Sequence, residues 1–162
     1  MNKKSNFEQR PSSKSGTMAE EKIDTIDYLQ VWLCPATAKN RKVSIDNQFR
    51  FANGDTEYAW AFSQRYRSKW DKLKVGDLCI FGNSKGFVKA AYVSKKVNLE
   101  QVEEWPFRSP SELPWTWGFY LTKPFDIQIE ATFFINIGRR AWNTQALLSQ
   151  EEARLTLQEL NL

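Results

Sequence analysis

Few residues in this 162-residue chain have the types and spacing that catalysis requires, and one omission decides most of the matter. There is no histidine. That removes Ser-His-Asp and Cys-His nucleophilic systems, HExxH metal sites and the His-containing zinc deaminase signature. The two cysteines, Cys34 and Cys79, lie far apart without CxxC spacing, which argues against a thiolate zinc site. Each falls in an apolar run, Val31-Trp32-Leu33-Cys34 and Leu78-Cys79-Ile80-Phe81, and reads as a buried thiol in a reducing, intracellular compartment. Asp126, Gln128 and Glu130 share one face of an alternating stretch. A nuclease of the D…ExK type needs a lysine two positions after the Glu to place metal and water, and that position holds Thr132. No catalytic residue, metal or cofactor is therefore expected.

Binding chemistry is better represented. Seven Trp, eleven Phe and five Tyr make up 14% of the chain, more tryptophan than one small core needs. An indole offers a broad π face and a single N–H donor, so surplus tryptophan points to stacking on a flat ligand. Trp105, between Glu103-Glu104 and Pro106, lies in a proline-rich connection with no evident core face and reads as a ligand contact. Trp60, in Tyr58-Ala59-Trp60-Ala61-Phe62, reads either as a ligand wall or as core beside Phe62. Trp32, Trp117 and Trp142 sit in or beside strand-like runs and read as core, and Trp70 packs under a basic segment. That segment alternates Arg65, Arg67, Lys69, Lys72 and Lys74 with Tyr66 and Trp70, a pattern that suits a phosphate backbone or a solvated face. A net charge of +4 leaves the same two options open.

These residues need elements to position them. Residues 1–24 are rich in Ser, Lys, Glu and Asn and predict a flexible tail, with a single domain over residues 25–162. Tyr28 to Leu33 predicts a strand stopped by Pro35, and a polar stretch follows from Ala36 to Glu57. Tyr58–Phe62 is next, then the basic segment, then the turn Val75-Gly76-Asp77. Leu78–Phe81 and Phe87–Ser94, joined by Asn83-Ser84-Lys85-Gly86, predict a hairpin. After the connection from Asn98 to Pro114 come strands at Trp117–Leu121, Phe125–Glu130 and Phe133–Ile137. Ser149 and Glu152 predict a capping box for a last helix with Ala153, Leu157 and Leu160 on one face. The expected fold class is α+β, a small curved mixed β-sheet or barrel of about six strands with flanking helices. No stretch is long and apolar enough to predict a membrane span.

In this order the motifs resemble the PUA-like superfamily, specifically its YTH and EVE branches, over roughly Tyr28 to Leu160. Trp70-Asp71-Lys72-Leu73-Lys74-Val75-Gly76-Asp77-Leu78-Cys79-Ile80-Phe81 is similar to the W-x-x-L-x-x-G-D-x-x-x-F segment of EVE proteins. Ile80 to Ala91 resembles the YTH pattern of an IFS strand, a Ser-Gly turn and an F-x-G-x-A strand. Ile137-Gly138-Arg139 resembles the YTH I-G/S-R segment, again ahead of a C-terminal helix. The chain departs from the family at Cys34-Pro35-Ala36, where a Lys-Ser-Asn stretch is usual, and in about ten extra residues between Asn40 and Trp60.

The resemblance implies a reader that flips one modified base, N6-methyladenine or a modified cytosine, into an aromatic cage and performs no chemistry on it. Trp60 and Trp105 would be the cage walls, with Leu113 or Trp115 as the third; Asn40 and Ala61 would meet the base edge. Arg139, Arg140, Lys39, Arg65, Arg67 and Lys85 would hold phosphates. The implied partner is nucleic acid, DNA ahead of RNA, as in the recognition domains of McrBC-type restriction systems, with any NTPase or nuclease on another chain or domain. A PUA-like RNA binder, an N6-methyladenine reader or one without modification selectivity, is the alternative. A protein-interaction module using the Trp and Pro-rich loops fits composition but not motif order.

Overall fold

The two apolar runs that hold the cysteines become neighbouring strands, and everything else is arranged around them. In the computed structural model, residues 28–100, 102, 105–108, 113–138 and 145–162 are described. Strand β1 (Val31–Pro35) pairs in parallel with β4 (Leu78–Asn83), placing Trp32 opposite Cys79 and Cys34 opposite Phe81. Both runs are continuously apolar because both faces are covered. Alternate residues go to opposite sides: Trp32, Cys34, Cys79 and Phe81 face one core, and Val31, Leu33, Leu78 and Ile80 face another.

Between β1 and β4 the chain forms α1 (Ala38–Ser44), β2 (Phe49–Arg50), β3 (Thr56–Phe62), a 3-10 turn (Gln64–Tyr66) and α2 (Arg67–Lys72). The expected hairpin follows as β4 and β5 (Gly86–Asn98), tightened at Gly82, where a Cβ would collide with the Gly86 carbonyl. Then come β6 (Trp117–Leu121), β7 (Phe125–Ile129), α3 (Ala131–Asn136), β8 (Ala146–Leu147) and α4 (Gln150–Glu159). The strand order is β2-β3-β6-β5-β4-β1-β8, and β7 continues beside β5 next to β6. Apart from β1 with β4, these pairings are antiparallel.

The sheet curls strongly. Trp32 on β1 and Phe62 on β3 are four places apart in the strand order, yet their rings lie 5.6 Å apart across the concave face. Trp60 on β3 likewise meets Phe81 on β4 at 5.4 Å. Among the described residues no ladder joins the two ends, so the architecture is a curved mixed sheet of eight strands and the expected barrel closure is not seen. The convex side is covered by α3 and α4 through a second hydrophobic cluster that includes Phe87, Phe134, Leu148 and Ala153.

Three local outcomes differ from or extend the sequence reading. Phe133–Ile137 lies on a helix with its end, not on a strand, because Ala131, Phe134 and Ile137 recur at the helical spacing that reaches Phe87, and Gly138 at φ +101° ends the turn. The polar stretch after Pro35 contains α1, capped where the Thr37 hydroxyl accepts the Asn40 N–H at 3.1 Å. About six strands become eight because β2 and β8 are two-residue pairings too short to leave a periodic signal. The capping box is present as expected: Glu152 N–H donates to Ser149 Oγ at 3.1 Å and Ser149 N–H to Glu152 Oε1 at 2.8 Å. No helix among the described residues is long and apolar enough to cross a membrane.

Candidate nucleic-acid interface

Strand β3 delivers Trp60 to the concave face, since Ala59 and Ala61 on either side must point the other way. Of the connection between β5 and β6, the described residues Leu99, Val102, Trp105, Phe107 and Trp115 pack on the same core, and hydrogen bonds hold its two ends. Leu99 N–H donates to the Thr116 carbonyl at 2.7 Å, and Gln64 N–H donates to the Pro114 carbonyl at 3.0 Å. Arg108 pairs with Pro114, and Trp115 N–H donates to the Phe107 carbonyl at 3.2 Å. These ties set Phe107 and Trp115 against Trp60, with Trp105 on the far side of Phe107. The Phe107 ring is 4.9 Å from Trp60, 4.8 Å from Trp105 and 5.3 Å from Trp115, and Trp60 and Trp115 are 5.8 Å apart.

The three expected cage tryptophans are thus brought into one cluster, but not as an open slot between two walls. Trp60 is 0% exposed and Trp105 is 1% exposed. The expectation that Trp105 lacks a core face is corrected: Phe49 lies at 5.0 Å edge-on, and Phe51 stacks on it at 5.9 Å with an interplanar angle of 12°. Trp115 is partly exposed, and so is Leu113. The indole N–H groups of Trp60 and Trp105 are buried with no acceptor among the described residues, as are Arg41 Nε and Ser63 Oγ. Phe107 is not among the residues expected from the sequence; its place two residues after Trp105 on the same connection is the signal that marks it.

The remaining expected residues are dispersed. Asn40 is partly buried on α1, which meets β3 where the Ser44 hydroxyl donates to the Ala59 carbonyl at 2.6 Å, one residue from Trp60. Ala61 is buried in the β3–β6 ladder, and its carbonyl already accepts Gln145 Nε2 at 3.4 Å. Arg139 and Arg140 lie outside the described residues. Lys39 is exposed on α1, and Lys85 is exposed in the β4–β5 turn, at the far end of β4 from α2.

Arg65 and Arg67 are exposed at the other end of the concave core, beside α2, where basic and aromatic side chains alternate in space as well as in sequence. Arg67 lies over Trp117 at 5.0 Å, Lys69 over Tyr66 at 4.7 Å and Lys96 over Trp70 at 4.4 Å. Lys96 also donates to the Leu73 carbonyl at 2.8 Å, and burial lowers its pKa. Arg67 forms an exposed pair with Asp71 at 3.7 Å, which such geometry leaves weak and exchangeable for a phosphate. The rings limit how far these cations can wander, so a backbone meeting them finds charge already placed.

Two concavities frame the choice of site. One, of about 410 Å³, opens beside the tryptophan cluster between Phe51, Asn53, Asn98, Val102 and Tyr120, and Phe51 is the ring it shares with the cluster. A larger groove, about 530 Å³, lies on the convex side between Tyr28-Leu29 and α4. Its charged pair, Glu151 and Arg154, is already self-satisfied at 2.7 Å. With Tyr28 its only aromatic, that groove lacks the paired stacking faces a nucleobase needs, so the volume next to the tryptophans is the better candidate. Asp126 and Glu130, on the acidic strand face, are exposed, and Asp126 pairs with Lys89 at 2.7 Å.

Compared with known proteins, the chain matches no protein-family model and no curated sequence.

Proposed function

We propose that this chain is a PUA-like nucleic-acid-binding module that takes one modified base, N6-methyladenine or a modified cytosine, among Trp60, Trp105 and Trp115. It binds without transforming the base and leaves cutting or signalling to an NTPase or nuclease on another chain or domain, as in a modification-dependent restriction system. DNA is the favoured polymer. One observation carries this reading: three tryptophans, one on β3 and two on the connection between β5 and β6, converge on a single ring, and two of their N–H donors have no acceptor among the described residues. A base leaving its stack loses a few kcal/mol, and aromatic faces return roughly 1–3 kcal/mol per base. A nucleobase also brings ring nitrogens and carbonyls that can accept from buried indoles, which a hydrocarbon ligand cannot.

A second reading is an RNA-binding module without modification selectivity. It is favoured by the contrast between the closed tryptophan cluster and the open basic-aromatic surface at Arg65 and Arg67. Matched DNA and RNA oligonucleotides, each with and without the modification, separate the two by fluorescence anisotropy at two salt concentrations. The reader predicts clear preference for the modified strand. Equal binding of modified and unmodified strands, with RNA ahead, would leave the unselective binder. Under either reading Arg67→Ala weakens modified and unmodified strands alike and lowers the salt slope by about 1.

A further inference from the structure

The ring at the centre of the tryptophan cluster belongs to none of the residues expected to build a cage. Phe107 sits on the connection rather than on a strand, between exposed Pro106 and exposed Arg108, and is itself 4% exposed. Its backbone runs along the surface and sends one side chain inward, to lie within 5.3 Å of all three tryptophans. We propose that Phe107 is an intramolecular plug: its ring holds the place among Trp60, Trp105 and Trp115 that a flat ligand takes, and binding requires it to leave. The identity of the ligand rests on the base-binding reading above; the plug does not.

Three features support the assignment. Phenylalanine has neither donor nor acceptor, so it fills the space while leaving the Trp60 and Trp105 N–H groups unanswered. Native interiors rarely keep such orphans unless something else completes them. A benzene ring has the footprint of a pyrimidine or of the six-membered half of a purine, and it meets Trp60 and Trp115 tilted at 53° and 46° and Trp105 edge-on at 82°, so a flat ligand that replaces it must re-seat the indoles to stack on them. Finally, the cluster does not end in packed core on every side. Phe51, stacked on Trp105, lines the depression of about 410 Å³, so the cluster reaches open space through Phe51.

The consequence is a site whose apparent affinity is reduced by the fraction of molecules with the ring out. Removing the ring should raise affinity, the opposite of what deleting an ordinary contact does. The wild type and Phe107→Ala are titrated with free purine, and with single-stranded oligonucleotides carrying one N6-methyladenine, one 5-methylcytosine or no modification, followed by tryptophan fluorescence and anisotropy. The expected result is a gain of about tenfold or more for purine and for one modified strand in Phe107→Ala. Phe107→Leu, which keeps most of the volume but not the flat ring, should gain about threefold. Unchanged or weaker purine binding in both variants overturns the plug, even if the wild type prefers a modified strand, in which case the base-reader reading survives alone. Stronger purine binding without preference for any modified strand keeps the plug and removes the base-reader reading. If neither variant folds, Phe107 is core and the proposal is wrong.

Discussion

The concave core treats the same side chain differently at its two ends. At the end beneath α2, every buried or half-buried indole donates: Trp32 to the Asp77 carboxylate at 2.9 Å, Trp70 to the Gly118 carbonyl at 2.8 Å and Trp117 to the Gln64 carbonyl at 2.8 Å. At the end around Phe107, Trp60 and Trp105 are as deeply buried and donate to nothing among the described residues. An orphaned buried donor costs about 1–3 kcal/mol, so the second end gives up stability that the first end retains. Both ends are equally aromatic, so aromatic content alone does not explain the difference. The indoles of the first end are satisfied; two at the second are left with donors that a ligand can complete.

The largest test of that contrast is truncation. Phe62, which lies 5.6 Å from Trp32 and 5.5 Å from Phe119, belongs to the first end. Phe62→Ala should cost about 3–5 kcal/mol by denaturant unfolding, as expected for a large buried aromatic. Phe107→Ala should cost less than half as much, because the ring it removes packs a region that is not fully satisfied. Equal costs would make the two ends one ordinary core.

Asp77 is next. Its carboxylate accepts from Gln30 Nε2 at 2.8 Å, Trp32 Nε1 at 2.9 Å and the Lys74 N–H at 2.9 Å, and so knits β1 to the turn before β4. Asp77→Ala should cost about 3 kcal/mol, since it strands these donors. Burial raises the Asp77 pKa above its ordinary 3.8, against the hydrogen bonds from Lys74, Trp32 and Gln30 that pull it down. The sign follows from which state ionises first. Below 3.8 the carboxyl is protonated in both states; as pH rises, the unfolded chain releases its proton before the folded one, which favours unfolding. Wild-type stability relative to Asp77→Asn should therefore fall as pH rises through the unfolded value of 3.8 to the raised folded value, and then level off. A relative rise over that window would mean that the hydrogen bonds outweigh burial.

The smallest effect is the most direct comparison. Trp32→Phe removes a hydrogen bond to a carboxylate and should cost about 2 kcal/mol, whereas Trp60→Phe removes none and should cost less than about 1 kcal/mol. A Trp60→Phe cost matching that of Trp32→Phe would mean that Trp60 has an acceptor in solution, and the distinction between the two ends would collapse.

Where one segment contained its own signal, the sequence was enough. The strand-like runs Leu78–Phe81 and Phe87–Ser94 around the turn residues Asn83–Gly86 identified the hairpin, and Ser149 with Glu152 identified the start of α4. Reading Trp32 as core was equally local, because an indole inside a continuous apolar strand has nowhere else to go. The helix at Ala131–Asn136 was not legible from Phe133–Ile137 alone, since a short apolar run fits both periods until Phe87 selects one face. Trp60 and Trp105 were chosen by residue type and by resemblance, but their burial, and the ring between them, depend on contacts that no local pattern encodes.

What the sequence by itself determined is therefore chemical and local: no histidine chemistry, a surplus of indole faces, a basic-aromatic alternation after β3, and the strands and capped helix with their own periodicity. Only the tertiary structure decided which indoles find acceptors. Trp32 meets Asp77 because β1 pairs with β4, and Trp60 meets Phe107 because hydrogen bonds hold the two ends of the connection between β5 and β6. The physical reason is one of range. Turn residues, caps and periodicity act within a few residues, whereas an acceptor for a buried N–H arrives from a distant segment whose position the whole sheet sets.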